Sequence, residues 1–209
     1  MKKIFLPIIA AALLASCNSS PKETAETSEA QETAQVSGAT YNVDKEASVV
    51  SFLGTKPVGI HTGDFKLTEG VLSVADGNVT SGTFTIDINS LVLTDENPYA
   101  AKLKEHLLSA DFFDASKFGT AKFEITGCEV LTNDTTGTHK ISGNLTMKER
   151  TQNVSFPAKI TLSDTELTAT AKFSIDRTKW GLVYGNDKSL GDKFIYPVVE
   201  ITLNINAKK

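Results

Sequence analysis

Residues 140–160, "KISGNLTMKERTQNVSFPAKI", carry the pattern that decides the fold. On each side of a short charged break, every second residue is apolar or glycine: Ile141, Gly143, Leu145 and Met147, then Val154, Phe156, Ala158 and Ile160. Polar residues and one proline occupy the positions between them. A period of two is typical of strands that bury one face and expose the other. The stretch therefore predicts two successive β-strands.

The same period recurs from Thr40 to the end of the chain. Three further examples are Phe84, Ile86 and Ile88; Leu167, Ala169, Ala171, Phe173 and Ile175; and Val199, Ile201, Leu203 and Ile205. Consecutive strands with one apolar face favour an antiparallel sheet, and no second set of helices is available to cover that face. The sheet must therefore curl on itself or stack on another sheet. We predict an all-β domain over residues 40–209, a lipocalin-like antiparallel up-and-down β-barrel of about eight strands.

One helix and one long loop interrupt the strands. In residues 96–114, "ENPYAAKLKEHLLSADFFD", Asn97 is the expected N-cap and Pro98 the first helical residue. Tyr99, Leu103 and Leu107 recur every four residues on one face. We expect this short helix to lie across or near the barrel mouth. Residues 177–193, "RTKWGLVYGNDKSLGDK", are predicted to form a loop that carries the single tryptophan of the chain.

The N-terminus has the features of an export signal. Lys2 and Lys3 precede an apolar run over residues 4–14, which is about half the roughly 20 residues that a membrane-spanning helix needs. The run ends in Leu-Ala-Ser-Cys, residues 14–17, which resembles the lipobox of bacterial lipoproteins. That resemblance implies a signal peptide over residues 1–16, acylation of Cys17, and anchoring to a membrane of the bacterial cell envelope, at the periplasmic face or the cell surface. An ordinary secretory signal with a chance cysteine is the alternative.

Residues 17–39 are predicted to form a disordered tether behind the lipidated cysteine. They are rich in Ser, Thr, Glu, Ala and Gln and contain a single valine, so they bury too little apolar surface to offset their ordering entropy. A flexible chain of this length spans roughly 25 Å on average. The other cysteine, Cys128, then has no intramolecular disulfide partner and is expected to be a passive thiol.

Several classes of function find no support in the sequence. The formal net charge is −4, without the clustered basic residues that nucleic-acid binding requires. The three histidines lack the spacing of a zinc site, and neither a phosphate-binding loop nor a dinucleotide or nucleophile motif is present. We therefore expect no metal and no cofactor.

The inward-facing positions leave open whether the barrel is filled. They mix bulky residues such as Phe123 and Phe156 with small ones such as Gly143, Ala158 and Ala171. Side chains alone fill some small barrels, whereas an apolar cavity is dry and suits a lipid chain.

Four blocks resemble the YceI-like polyisoprenoid-binding family and keep its order over most of residues 41–209. They are "HTGDFKLTEG" from residue 61, "FTIDINSLVLTDENPYAAKLKEHLLSADFFDASKFGTAKFEI" from 84, "ISGNLTMKERTQNVSFPAKI" from 141 and "FSIDRTKWGL" from 173. The resemblance implies a lipocalin-like barrel whose hydrophobic tunnel holds an isoprenoid quinone or a polyprenyl phosphate. Because no catalytic reaction is firmly established for the family, it implies a binding or carrier protein rather than an enzyme.

The residues expected to contact the lipid combine the inward-facing set with the family blocks. They are Phe52, His61, Phe65, Phe84, Ile86, Leu103, His106, Phe112, Phe113, Phe123, Leu145, Phe173, Arg177 and Trp180.

Four polar residues each have more than one interpretation. His61 shares strand parity with Phe65 and either binds a headgroup or bonds a backbone carbonyl at a bend made by glycines. His106 borders the helix's apolar stripe as a structural cap, and His139 is expected to be solvated. Arg177 either binds an anionic headgroup or forms a surface ion pair.

Two other functions remain open at this point. One is an enzyme that acts on a similar lipid with His61 or His106 as acid–base, since the pKa of a histidine lies near neutrality. Its weakness is that the sequence shows no partner for either histidine, because Asp64 falls on the outer face. The other is a structural surface lipoprotein with a filled core.

Overall fold

The computed structural model describes residues 24–132 and 134–209. The predicted signal peptide and Cys17 lie outside the described residues, as does Asn133.

The described residues form ten strands and one α-helix. In chain order these are β1 (Glu26–Ser28), β2 (Ala39–Val43), β3 (Val49–Lys56), β4 (Gly59–Ala75), β5 (Asn78–Leu93), α1 (Ala100–Leu108), β6 (Thr120–Val130), β7 (His139–Met147), β8 (Arg150–Leu162), β9 (Glu166–Asp176) and β10 (Val198–Lys208). Two short 3₁₀ segments, Arg177–Trp180 and Lys188–Lys193, lie between β9 and β10.

The eight strands β3 to β10 form a closed barrel. Each pairs antiparallel with the next in the sequence, and β10 closes the barrel by pairing with β3. Register shifts in the long β4–β5 pair, and one between Ile125 and Gly127 in β6, add the local twist that curves such a sheet. The predicted all-β up-and-down barrel of about eight strands is confirmed.

The first strand of the barrel is interrupted. Both β2 and β3 lie between β4 and β10, and a turn over residues 44–48 separates them. The carboxylate of Asp44 accepts hydrogen bonds from the backbone N–H groups of Glu46 and Ala47 in this turn. Together the two strands cover the length of wall that one long strand would otherwise cover.

Residues 24–38, which we call the strap, lie along the outer wall of the barrel. Pairing between β8 and β9 stops at Ala158 and Ala171, and β1 pairs with β8 beyond that point. Ala25 N–H donates to the carbonyl of Ser174 in β9 at 2.7 Å. The strap therefore covers the gap where β8 and β9 separate.

Beyond β1 the strap crosses several strands and is held mainly by polar contacts. Gln31 N–H donates to Asn144 Oδ1 at 3.0 Å, Asn144 Nδ2 donates back to the Gln31 carbonyl at 2.7 Å, and Ala34 N–H donates to the Ile125 carbonyl at 3.0 Å. Asn153 supports this contact by donating to Asn144 Oδ1. The prediction of a disordered tether is wrong for residues 24–39, because backbone and amide hydrogen bonds order a segment that has little apolar surface to bury.

The helix begins later than predicted. Its N-cap is Tyr99, which makes no side-chain capping bond, and the first helical residue is Ala100. Asn97 instead forms the preceding turn, where its side chain accepts from the Tyr99 N–H and its carbonyl accepts from the Ala100 N–H. Tyr99 is exposed, so it does not share the inward face of Leu103 and Leu107. No helix in the described part of the chain has the length and apolar character needed to span a membrane.

Candidate binding cavity

The barrel encloses a cavity of about 480 Å³. The inner part of the cavity is lined by apolar side chains from every barrel strand, including Leu72, Val79, Ile160, Leu167 and Ile205. At one end the lining becomes polar and includes Lys56, His61, His106, Tyr184 and Lys193. This end, formed by the β3–β4 turn, α1 and residues 177–197, is the mouth of the barrel.

Aromatic rings line the cavity in two groups of contacting side chains. Phe65 lies 5.7 Å from both Phe52 and Phe113, measured between ring centroids. Phe123 lies between Phe84 and Phe156 at 6.4 and 5.9 Å, and Phe156 stacks on Phe173 at 3.9 Å. These rings lie on the wall and leave the interior open, so the alternative of a filled core is wrong.

Two glycines allow the rings to lie against the wall. A Cβ atom added at Gly143 would lie 2.2 Å from Cζ of Phe123, and one added at Gly63 would lie 2.6 Å from Cε1 of Phe52. Neither glycine has a positive φ. The glycine in the "HTGDF" block therefore makes room for a ring, which differs from the expected backbone bend.

His61 is paired with an acid that the sequence did not reveal. Its Nδ1 lies 2.9 Å from Oδ2 of Asp95, and Asp95 Oδ1 accepts from the Thr62 N–H at 3.1 Å. Burial opposes ionisation of Asp95, but the hydrogen bonds from His61 and Thr62 outweigh it and hold the pKa of the carboxyl below 3.8. Because a carboxylate can only accept, Nδ1 carries the proton, and Nε2 is the ring nitrogen available to a ligand.

His106 closes the mouth from the helix side. Its ring meets Phe112 and Tyr184 edge-on, with centroid distances of 5.2 and 4.6 Å, and its Nε2 lies 3.3 Å from Oδ2 of Asp111. The ring therefore joins the last turn of α1 to the loop between β9 and β10, in the position expected of a cap over the cavity.

Arg177 lines the cavity without the surface ion pair that was one of its two expected roles, and its contact with a headgroup stays a prediction. The residue is buried, and its guanidinium donates to the carbonyls of Leu182, Tyr184, Ile195 and Tyr196. Burial lowers the pKa of Arg177, and the neighbouring Asp176 opposes that shift. Four of its five N–H donors are bonded to carbonyls, so Arg177 fixes residues 182–196 over the barrel end, and none of the ion pairs among the described residues involves it.

Trp180 is also placed differently from the prediction. It is 0% exposed, and its Nε1–H donates to the Leu145 carbonyl at 2.8 Å. It does not line the cavity and instead fills the wall behind Leu145. All the other residues predicted to contact a lipid line the cavity, and their contact with a ligand stays a prediction.

Sequence reasoning missed several groups in the lining. Val50 and Ile125 have the strand parity that would have found them, and Met147 was assigned to the apolar face but not to the predicted lipid contacts. Tyr184, Ile195 and Lys193 come from the irregular loop, where no periodicity identifies the inward side. Asp95 lies 34 residues from His61 in a polar turn, and no sequence signal connects the two.

The remaining candidate groups show no reactive arrangement. Burial, followed by the charge of Glu129, raises the pKa of the Cys128 thiol to about 11. His139 is half-buried at a strand start, which lowers its pKa, and its Nδ1 lies 2.8 Å from the Thr138 hydroxyl. Within residues 24–132 and 134–209, no three His, Cys, Asp or Glu side chains are grouped to hold a metal ion.

The fold and the cavity define the class of protein: a closed eight-stranded antiparallel barrel around an apolar cavity with a polar mouth. A sequence model of the YceI-like domain matches residues 41–207, and the chain belongs to the YceI-like family. No curated protein matches the chain significantly.

Solved structures share the fold at low sequence identity. BcnA from Burkholderia cenocepacia superposes with a TM-score of 0.64 at 20% identity, over 78% of this chain and 98% of that chain. A polyisoprenoid binding domain from Saccharophagus degradans, implicated in plant cell wall breakdown, gives 0.61 at 18% identity, over 80% and 97%. The Campylobacter jejuni YceI protein gives 0.51 at 18% identity, over 75% and 84%.

Proposed function

We propose that this protein binds or carries a long-chain isoprenoid lipid, either an isoprenoid quinone or a polyprenyl phosphate, in the barrel cavity, and that it is not an enzyme. The observation that carries the proposal is the almost wholly apolar lining of a cavity of about 480 Å³. That volume lies in the range of roughly 300–1,000 Å³ that is usual for ligand pockets. The name of the Saccharophagus degradans domain, a polyisoprenoid binding domain of the same fold, supports this ligand class.

The polar mouth suits a lipid headgroup. An apolar chain in the depth of the barrel would bring its headgroup to Lys56, His61 and Lys193, which line the opposite end of the cavity. With the proton on Nδ1, His61 Nε2 accepts and is suited to the hydroxyl of a reduced quinone (a quinol), whereas the two ammonium groups are suited to a phosphate. Both headgroups therefore remain in the proposal, and identification of the bound lipid decides between them.

We also propose that Cys17 is acylated after removal of residues 1–16 and anchors the protein to a membrane of the bacterial envelope. The strap changes the geometry expected of such an anchor, because residues from Thr24 onward already lie against the barrel. A seven-residue step from Cys17 to Thr24 reaches at most about 25 Å when fully extended. The anchor would then hold the barrel close to the membrane.

The direct test is identification of co-purified lipid. Protein purified from its native envelope is extracted with organic solvent, and the extract is analysed by mass spectrometry. We expect a long-chain isoprenoid at a near-stoichiometric amount. Repeated absence of any long-chain lipid would reject the proposal.

A matched pair of variants locates the lipid in the cavity. Ala169 lines the cavity, whereas its neighbour Thr168 on the same strand is exposed on the outer face. Ala169→Phe should reduce the co-purified lipid severalfold because the ring occupies the tunnel, whereas Thr168→Phe should retain it. An equal effect of the two substitutions would place the lipid outside the barrel.

The His61–Asp95 pair favours a second candidate function, proton transfer on the bound lipid. A histidine oriented by a carboxylate is a common acid–base arrangement. Binding alone predicts that the extracted lipid gains no deuterium at carbon after long incubation with the wild-type protein in D₂O. Deuterium incorporation that disappears in His61→Ala would replace the binding proposal with an enzymatic one.

A further inference from the structure

Large apolar side chains are exposed mainly around the barrel mouth. Among the described residues, only Val36, Val71 and Val130 are large, apolar, exposed and distant from it. The others, which we call the rim, are Val58, Ile60, Val92, Tyr99, Val183, Tyr184, Leu190 and Tyr196. They come from separate segments of the chain, so one end of the molecule concentrates the apolar surface that soluble proteins usually scatter.

Contacts between those segments make the rim one surface. Tyr196 N–H donates to the carbonyl of Thr55, and Thr55 is the cross-strand partner of Ile60. The β3–β4 turn therefore adjoins residues 194–196. On the other side the ring of Tyr184 meets His106 of α1 at 4.6 Å. Tyr184 also lines the cavity, so the rim is continuous with the apolar interior.

The chemistry of the rim matches the boundary between lipid chains and headgroups. Three of its members are tyrosines, whose apolar ring and polar hydroxyl favour that boundary. Charges in the mouth segments are nearly balanced, with Lys188 beside Asp187 and Lys193 beside Asp192, although the whole chain carries a net charge of −4. A balanced surface fits zwitterionic headgroups, which present both signs of charge, better than it fits a strongly charged partner.

We propose that the rim docks on the surface of a lipid bilayer, with the barrel mouth facing the membrane. Insertion of the apolar side chains would supply the affinity, as in proteins that lie on a membrane without crossing it. The mouth then opens directly onto lipid, and a long apolar chain moves between bilayer and cavity without crossing water. Only this last step rests on the proposed function, because docking itself needs no bound ligand.

The test uses residues 24–209, which contain every strand of the closed barrel and neither the apolar N-terminal run nor Cys17. Binding to phosphatidylcholine vesicles is measured by flotation. Val58 on the rim and Val130 at the far end of β6 form a matched pair, since they are 63% and 60% exposed. Val58→Asp and Leu190→Asp should each lower the partition coefficient about fivefold to tenfold, because each removes one inserted apolar side chain. Val130→Asp should leave it unchanged.

Each alternative outcome overturns the docking proposal. An equal loss in Val130→Asp, or no flotation of the wild-type fragment at any lipid concentration, excludes the rim as a membrane surface. A dimer seen by light scattering that Val58→Asp dissociates, without vesicle binding, assigns the rim to a second copy of the chain. Lipid analysis of the native-envelope protein separates the two proposals: bound isoprenoid without docking rejects only docking, and docking without bound isoprenoid rejects only the proposed function.

Discussion

Substitution of Arg177 by lysine tests whether this residue fixes a loop or binds a headgroup. Lysine keeps the positive charge but replaces a planar fork of donors with one ammonium group. The guanidinium donates to four backbone carbonyls, and a lysine at the same position can reach about two of them. At about 1.5–3 kcal/mol for each hydrogen bond to a charged group, the loss of two bonds costs about 3–6 kcal/mol.

The assay is thermal unfolding of the purified protein with and without bound lipid. For a protein of this size the loss corresponds to a fall in Tm of about 6–24 °C. Arg150→Lys is the matched control, because Arg150 is the other arginine of the chain, lies near the same end and is exposed. An exposed substitution of this kind changes stability by less than about 0.5 kcal/mol. If Arg177→Lys kept the wild-type Tm but lost the lipid, the loop-fixing role would be refuted in favour of headgroup binding.

Three further predictions follow from single contacts. The pKa of Asp95 lies below its usual 3.8, so the ionised carboxylate stabilises the fold above about pH 4, and this contribution is lost as pH falls through the lowered value. The Tm difference between wild type and Asp95→Asn should therefore shrink on acidification. A Tm difference that grew instead would contradict this reasoning. Gly143→Ala should lower the free energy of unfolding, measured by urea denaturation, by about 1–3 kcal/mol because the added methyl group overpacks against Phe123. Gly59→Ala is the control and should leave the free energy of unfolding unchanged, because a Cβ atom added there has no other atom within 4 Å. Asn144→Ala should speed hydrogen exchange in the strap while the barrel amides stay protected, and unchanged exchange would show that the strap is held elsewhere.

The barrel was predictable because its information is local and repeated. Alternation in β7, β8 and β9 identifies the buried face residue by residue, and a slip of one position would expose the whole face. Most of the cavity lining follows from that parity. The strap has no such signal, because it is held by backbone groups and by Asn144, whose position across the barrel wall depends on the closed fold.

The polar groups at the mouth show the same division between local and nonlocal information. His61 was located correctly from the parity of β4, but its partner Asp95 comes from the turn after β5 and reaches it only because the two strands are neighbours in the barrel. Arg177 and Trp180 were placed in a loop and assumed to be accessible. Both are buried, since a loop that covers a barrel end needs internal hydrogen bonds and a core of its own.

The contrast between local strand pattern and nonlocal contacts also applies to the cavity, whose shape and access depend on different residues. Phe156 and Phe173 stack on each other beyond the point where β8 and β9 stop pairing, and the strap is hydrogen-bonded to both strands there. At the mouth, the contacts of Arg177 and of the His106 ring hold the loop against α1. The regular strands therefore set the shape of the cavity, whereas a few nonlocal polar and aromatic contacts hold the two segments that border it. Variation among members of the family in those contacts, with the strand pattern retained, would change access to the cavity without changing its shape.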